Sequence, residues 1–293
     1  MRKKADSPPV LPAHGRLVMP VMAATGGSGR STVARLLAAE FATAGPTVVL
    51  DTAPRLSSPW PALTVDQGAG GLAALPPDQP LTRSQVHQAA ARQTARNDDW
   101  HVLTDGRDWH APPLNLPEQP AAWYQLAAVG GWSAVIADTV HPLAHDILEA
   151  RCVGRPGQTR AWCELPYAVP VLCAAATASG VEALQQAAMV LHAEGLPLQR
   201  AVAVLVGTTD GRPAPVVRAA ATMLAPRIAE VTHLPYDPHI RAHGLRSATK
   251  LRARTQQAAA HIAGAVLAAA HRAWGDPLPH APQPAPIAVV HSP

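Results

Sequence analysis

Lysine is almost absent from this chain. Of 24 basic residues only Lys3, Lys4 and Lys250 are lysine, and the others are arginine. Phenylalanine occurs once, at Phe41, and aromatic residues make up 4% of the sequence. The codons for Ala, Arg, Pro and Gly are GC-rich and those for Lys and Phe are not, so the skew carries the mark of genome bias. Long apolar runs are also missing. No stretch reaches the roughly 18 uninterrupted apolar residues of a membrane-spanning helix, which excludes a transmembrane segment. The charged start Met1-Arg2-Lys3-Lys4 is followed by an apolar segment that runs into a glycine loop without a cleavage site. A secretory signal is therefore not expected, and the chain reads as cytoplasmic. Three cysteines (Cys152, Cys163, Cys173) have the spacing of neither a zinc site nor a disulfide framework. A net charge of +4 permits an anionic partner without requiring one.

What is present is a globular composition. The chain has 293 residues and is 48% hydrophobic, which excludes disorder throughout and fits one large domain. Both ends are rich in proline, which cannot continue a helix or a central strand. Residues 1–15 and 276–293 are therefore expected to be disordered tails around a domain at 16–275. Within it, short apolar runs alternate with amphipathic stretches. Strands are expected at 17–24, 47–51, 100–104, 133–138, 169–175, 201–206 and 228–233. Helices are expected at 31–43, 84–96, 121–129, 180–194, 215–225 and 248–274. Apolar runs unbroken by polar residues belong to strands covered on both faces, so the pattern predicts an α/β fold with a mostly parallel sheet.

The sharpest feature is Thr25-Gly26-Gly27-Ser28-Gly29-Arg30-Ser31-Thr32, between the first strand and the first helix. That is the context of a phosphate-binding loop. Glycines let the backbone wrap closely around phosphate oxygens, and the helix N-terminus points its N–H groups at the anion. The Ser31 hydroxyl is placed to ligand Mg²⁺, and Thr32 to reach a neighbouring phosphate. The competing reading is a glycine turn that binds nothing.

The loop resembles the deviant Walker A motif of the MinD/ParA family of P-loop ATPases, Lys-Gly-Gly-x-Gly-Lys-Thr/Ser-Thr/Ser. Gly26, Gly27, Gly29, Ser31 and Thr32 match it; Thr25 and Arg30 stand where the family has its two lysines. The strand Ala134-Val135-Ile136-Ala137-Asp138-Thr139 resembles the family's Walker B strand, whose aspartate reaches Mg²⁺ through water. His233-Leu234-Pro235-Tyr236-Asp237 resembles a late segment near the adenine side of the pocket. Gly207-Thr208-Thr209 stands where the family has a base-contacting asparagine. In Asp51-Thr52-Ala53-Pro54, alignment on the proline puts Ala53 at the aspartate that orients the attacking water. Asp51 is a substitute only in a different register.

The resemblance implies a three-layer P-loop NTPase fold, with a mostly parallel central sheet flanked by helices. It implies ATP and Mg²⁺ as cofactors, a homodimer formed on nucleotide binding, and a protein partner. Gly26, Gly27, Ser28, Gly29, Arg30, Ser31, Thr32, Pro235, Tyr236 and Asp237 become the nucleotide-binding candidates. Ser31 and Asp138 become the metal candidates, and Arg30 and Asp51 the catalytic ones. With three hydrolytic positions altered (Thr25, Arg30, Ala53), hydrolysis is expected to be weak or absent. The role implied is positioning or regulating a partner or DNA cargo in segregation, conjugation or secretion. The alternative is a nucleotide-free pseudo-ATPase acting as an interaction protein.

Other groups carry less. Arg241, Arg246, Lys250, Arg252 and Arg254 form a basic run without an acid, suited to nonspecific DNA or to an ordinary solvated face. The closing helix has an apolar stripe weak in large residues, which fits core packing rather than a membrane surface. His141 and His145 sit four apart without an evident third ligand, so a zinc site is not expected.

Overall fold

The computed structural model describes residues 11–12, 14–64, 70–77, 79–95, 98–244 and 251–284. Their chain order is β1 (Leu17–Ala23), α1 (Arg30–Phe41), β2 (Thr47–Asp51), α2 (Arg83–Ala89), β3 (Ala91–Ala95), β4 (Asp98–Leu103), α3 (Pro120–Gly130) and β5 (Ala134–Pro142). Then follow α4 (Leu143–Val153), α5 (Gln158–Cys163), β6 (Val171–Ala175), α6 (Ala178–Ala193), β7 (Val202–Val206), α7 (Pro215–Leu224), β8 (Glu230–Leu234), α8 (Pro238–His243) and α9 (Ala253–Trp274).

The strands form one sheet in the order β3-β4-β2-β5-β1-β6-β7-β8. Every pairing is parallel except β3 with β4. All seven residues of β1 and all five of β2 are buried, because helices cover both faces. Alternation along β1 divides the core. Leu17, Met19 and Val21 face a layer with residues of α1 and α9, and Val18 and Met22 face one with residues of α3, α6 and α7. This is the expected α/β, three-layer fold.

Three differences from the sequence reading have physical causes. Residues 84–96 do not form one helix. α2 stops at Ala89, and β3 pairs antiparallel with β4, Gln93 opposite Trp100. α4, α5 and α8 are additional helices in stretches read as connections. Residues 276–284, expected in a tail, lie against the domain. Leu278 is buried, the Tyr167 hydroxyl donates to the His280 carbonyl at 3.1 Å, and that of Tyr124 donates to the Pro282 carbonyl at 3.2 Å. Proline removes N–H donors but leaves carbonyl acceptors, and those are what the tyrosines use. The Ala281 amide donates to the His14 carbonyl at 2.8 Å, and the His14 and His280 rings stack at 5.0 Å. No helix among the described residues is long and apolar enough to cross a membrane.

Candidate functional site

β1 lies between β5 and β6, so its carboxyl end opens where crossovers leave toward opposite sides of the sheet, the usual ligand crevice of such folds. The loop after β1 starts with the Ala24 amide donating to the Cys173 carbonyl of β6 at 2.9 Å. Gly27 (φ 71°) and Gly29 (φ 77°) then take left-handed conformations. Gly29 caps α1 without a side-chain hydrogen bond, so no side chain competes for the first-turn N–H groups. Ser28 is buried, yet its Oγ has no partner among the described residues. A cavity of about 220 Å³ is lined by Ala23 and residues 25–32. A second, of about 160 Å³, shares Gly27 and Thr32 with it and is lined also by Gly207, Thr208, Pro235, Tyr236, Asp237 and Arg241. The fold thus brings the glycine loop and the 235–237 segment to adjoining pockets.

The conformation at Gly29 is tightly specified. A Cβ there would lie 2.8 Å from Val206 Cγ1 and 3.2 Å from Cγ2, whereas one at Gly26 would meet nothing within 4 Å. Gly29→Ala is therefore expected to cost stability, with about 1–2 kcal/mol from the left-handed backbone alone. Gly26→Ala is expected to be near neutral. Thermal unfolding of the two variants checks this, and equal midpoints would contradict it.

Asp138 is not free for a hydrated metal ion. Its Oδ1 accepts from Arg30 Nε at 2.7 Å, and its Oδ2 from Trp60 Nε1 at 2.7 Å. Asp138 is 2% exposed and Trp60 fully buried. Mg²⁺ demands near-octahedral oxygen ligands at roughly 2.1 Å and gives up water reluctantly. Ser31 offers a hydroxyl in the loop pocket, but the second metal candidate is committed to two N–H donors. The residues present fit a phosphate group and do not fit the cation. Trp60 was not a candidate from sequence, since it lies in an irregular proline-rich stretch.

Asp51, a catalytic candidate, is also committed. It stands beside Asp138 in register at the end of β2 and is 1% exposed. Its Oδ2 accepts from Ser58 Oγ at 2.6 Å and Thr104 Oγ1 at 2.5 Å, and its Oδ1 from the Ala53 amide at 3.2 Å. Burial pushes the carboxyl up to about 7; the hydroxyl donors of Ser58 and Thr104 pull the other way, and neighbouring Asp138 adds to the rise. Enclosed like this, Asp51 has no geometry for orienting an attacking water. Ala53, also buried, supplies none.

Asp237 likewise has a local role. Its carboxylate accepts from the His239 amide at 2.9 Å, the Arg252 amide at 3.0 Å and Thr255 Oγ1 at 2.7 Å. It caps α8 and ties down the start of α9, rather than pointing to a base. The basic run is not a uniform cationic face. Arg252 and Arg254 both pair with Asp210, at 3.1 and 2.6 Å, and hold its carboxyl down at about 2. Arg241 lines the second pocket, and Arg246 and Lys250 fall outside the described residues. His145 is exposed and lies 3.9 Å from Glu149. Among the described residues no group of three or more His, Cys, Asp or Glu could hold a metal ion.

No family model and no curated protein matches the chain. Solved structures do. McdA from Cyanothece superposes with a TM-score of 0.55 at 14% identity, covering 86% of this chain and 99% of that one. A putative plasmid partition protein from Borrelia burgdorferi, solved with AMPPNP, gives 0.54 at 11% identity, with coverage of 86% and 99%. The cell division ATPase MinD from Pyrococcus furiosus gives 0.51 at 18% identity, covering 87% and 99%. The chain has the fold of the MinD/ParA ATPases, the fold that its glycine loop led one to expect.

Proposed function

We propose that the chain binds an adenine nucleotide at the 25–32 loop and hydrolyses it slowly or not at all. The bound state positions or regulates a protein partner or a DNA cargo. The observation that carries this is the buried, unpartnered Oγ of Ser28 beneath a glycine loop whose helix start has no side-chain cap. A buried hydroxyl without a partner is costly, and a phosphate oxygen at the loop would satisfy it. Pro235 and Tyr236, in the adjoining pocket, are the surfaces for the base. The partition protein from Borrelia burgdorferi, which shares the fold, is bound to AMPPNP.

Slow chemistry follows from the groups around the phosphates. Phosphoryl transfer needs neutralised charge and a positioned water. Arg30 gives its Nε to Asp138, Asp51 is enclosed, and Ala53 has nothing to orient a water with. Thr25 carries no charge with which to support a phosphate across a homodimer. Assembly on nucleotide binding, if it occurs, must use other contacts.

Calorimetric titration with ATP tests the reading. Saturable binding is expected, with a stabilisation of about 2.7 kcal/mol at a hundredfold excess of ligand over Kd. Phosphate release should stay well below that of an active ATPase, and turnover like that of an active ATPase would refute the hydrolysis part. The second reading, a nucleotide-free interaction protein, is favoured by one feature: Arg30, at the loop lysine's position, is committed through its Nε to Asp138. Absence of both heat and thermal shift would establish it instead.

A further inference from the structure

The cluster of Arg30, Asp138 and Trp60 fixes more than a weakened reaction. Arg30 is the first residue of α1, and its side chain is 19% exposed. A guanidinium carries five N–H donors in a planar fork. Nε is spent on Asp138, and this is the one side-chain hydrogen bond of Arg30 among the described residues, which leaves the two terminal nitrogens without a partner there. Arg30 also lines the loop cavity together with Ser31 and Thr32. The fork therefore has one side anchored in the protein and the other available to a ligand in that cavity. Free rotation is restricted because the anchor is itself held. Asp138 takes a second hydrogen bond from the fully buried indole of Trp60.

A divalent ion at this carboxylate would meet three obstacles. Each oxygen already accepts from a buried donor, and at 2% exposure the carboxylate has little room for a metal-bound water unless the ion pair or the indole contact yields. A single carboxylate cannot neutralise a guanidinium and a dication together. Displacing Arg30 would leave its charge at the mouth of the same cavity, repelling the incoming ion. The anchored guanidinium supplies what the ion would, a fixed positive charge with directed donors suited to phosphate oxygens.

We propose that this chain takes its nucleotide as the metal-free polyphosphate, with the Arg30 guanidinium, clamped by Asp138, in the place of the divalent cation. The proposal rests on the nucleotide reading above and adds the ionic form of the ligand. A compact ammonium at position 30 lacks the Nε that holds Asp138, so Arg30→Lys should release the carboxylate and restore a demand for metal.

The test is titration of the full chain with ATP, once in excess EDTA and once in excess Mg²⁺. The apparent affinity is expected to be about tenfold or more lower in excess Mg²⁺, because the ion competes with the protein for the free polyphosphate. Affinity in Mg²⁺ that is higher, equal, or lower by less than about tenfold would overturn the inference and leave the nucleotide reading intact. Absence of binding in both arms would overturn both. Mn²⁺ in place of Mg²⁺ gives a second readout by electron paramagnetic resonance. With ATP and wild-type protein, uptake of the metal-free nucleotide should release Mn²⁺ from ATP and raise the signal of the free aquo ion. A protein-immobilised Mn²⁺ signal in the wild type would overturn the inference. Arg30→Lys, checked for folding by its thermal transition, should show that signal and bind ATP more tightly with metal than without.

Discussion

Replacing Trp60 with alanine is expected to cost about 3–5 kcal/mol of stability, the range for deleting a large buried aromatic side chain. Trp60 has no exposed surface and meets Trp100 edge to face at 6.1 Å between ring centroids. It belongs to the same core layer as α1 and α9. Truncation leaves a cavity and removes one of the two donors to Asp138. Trp60→Phe separates these effects. It keeps most of the apolar volume, but loses the N–H and part of the ring, so the expected cost is about 1–3 kcal/mol, chiefly that of an unsatisfied buried acceptor. Urea unfolding of the two variants measures both. A Trp60→Ala variant within about 1 kcal/mol of wild type would mean that the indole is not the anchor described.

The second large effect depends on pH. Asp51 has a folded-state pKa of about 7, against an ordinary 3.8. Between those values the folded chain holds a proton that the unfolded chain releases. Stability from this group is therefore complete below the ordinary value and is lost as pH rises to about 7. The gap of about three units corresponds to roughly 4 kcal/mol. Asp51→Asn keeps an acceptor for Ser58 and Thr104 and cannot ionise. Relative to wild type, it should gain stability as pH is raised from about 5 to about 8, by a large part of that amount. Chemical unfolding at the two pH values gives the difference directly. A flat difference would show that Asp51 is ionised within the fold at both. Comparing variant with wild type also removes the opposing contribution of His141, which burial holds at about 4.

How much of this was legible in the sequence depends on distance along the chain. The strands of the parallel sheet were, because a strand covered on both faces is apolar along its length, as β1 and β7 are. The loop was legible because left-handed backbone calls for glycine at positions such as 27 and 29. β3 was not. Its segment is rich in alanine and suits a helix locally, and it is a strand because β4 supplies the pairing edge. The charge state of the site was hidden for the same reason. Asp138 finds Arg30 across 108 positions and Trp60 across 78, and no local pattern encodes either contact. Motif reading therefore reached the glycine loop as a candidate and could not reach the two side chains that hold its aspartate.

The contact between residues 11–16 and 278–284 has a mechanical side. Ala281 bonds His14, the two histidine rings stack, and Tyr124 accepts from Arg16 while donating to Pro282. These contacts form a clasp that bridges the two ends of the domain. Tension applied between residues 14 and 281 bears on these contacts before it reaches the sheet. Whatever is joined to the domain at either side is held beside its counterpart on the same patch of surface, so the fold transmits pull as a tether with a single point of attachment.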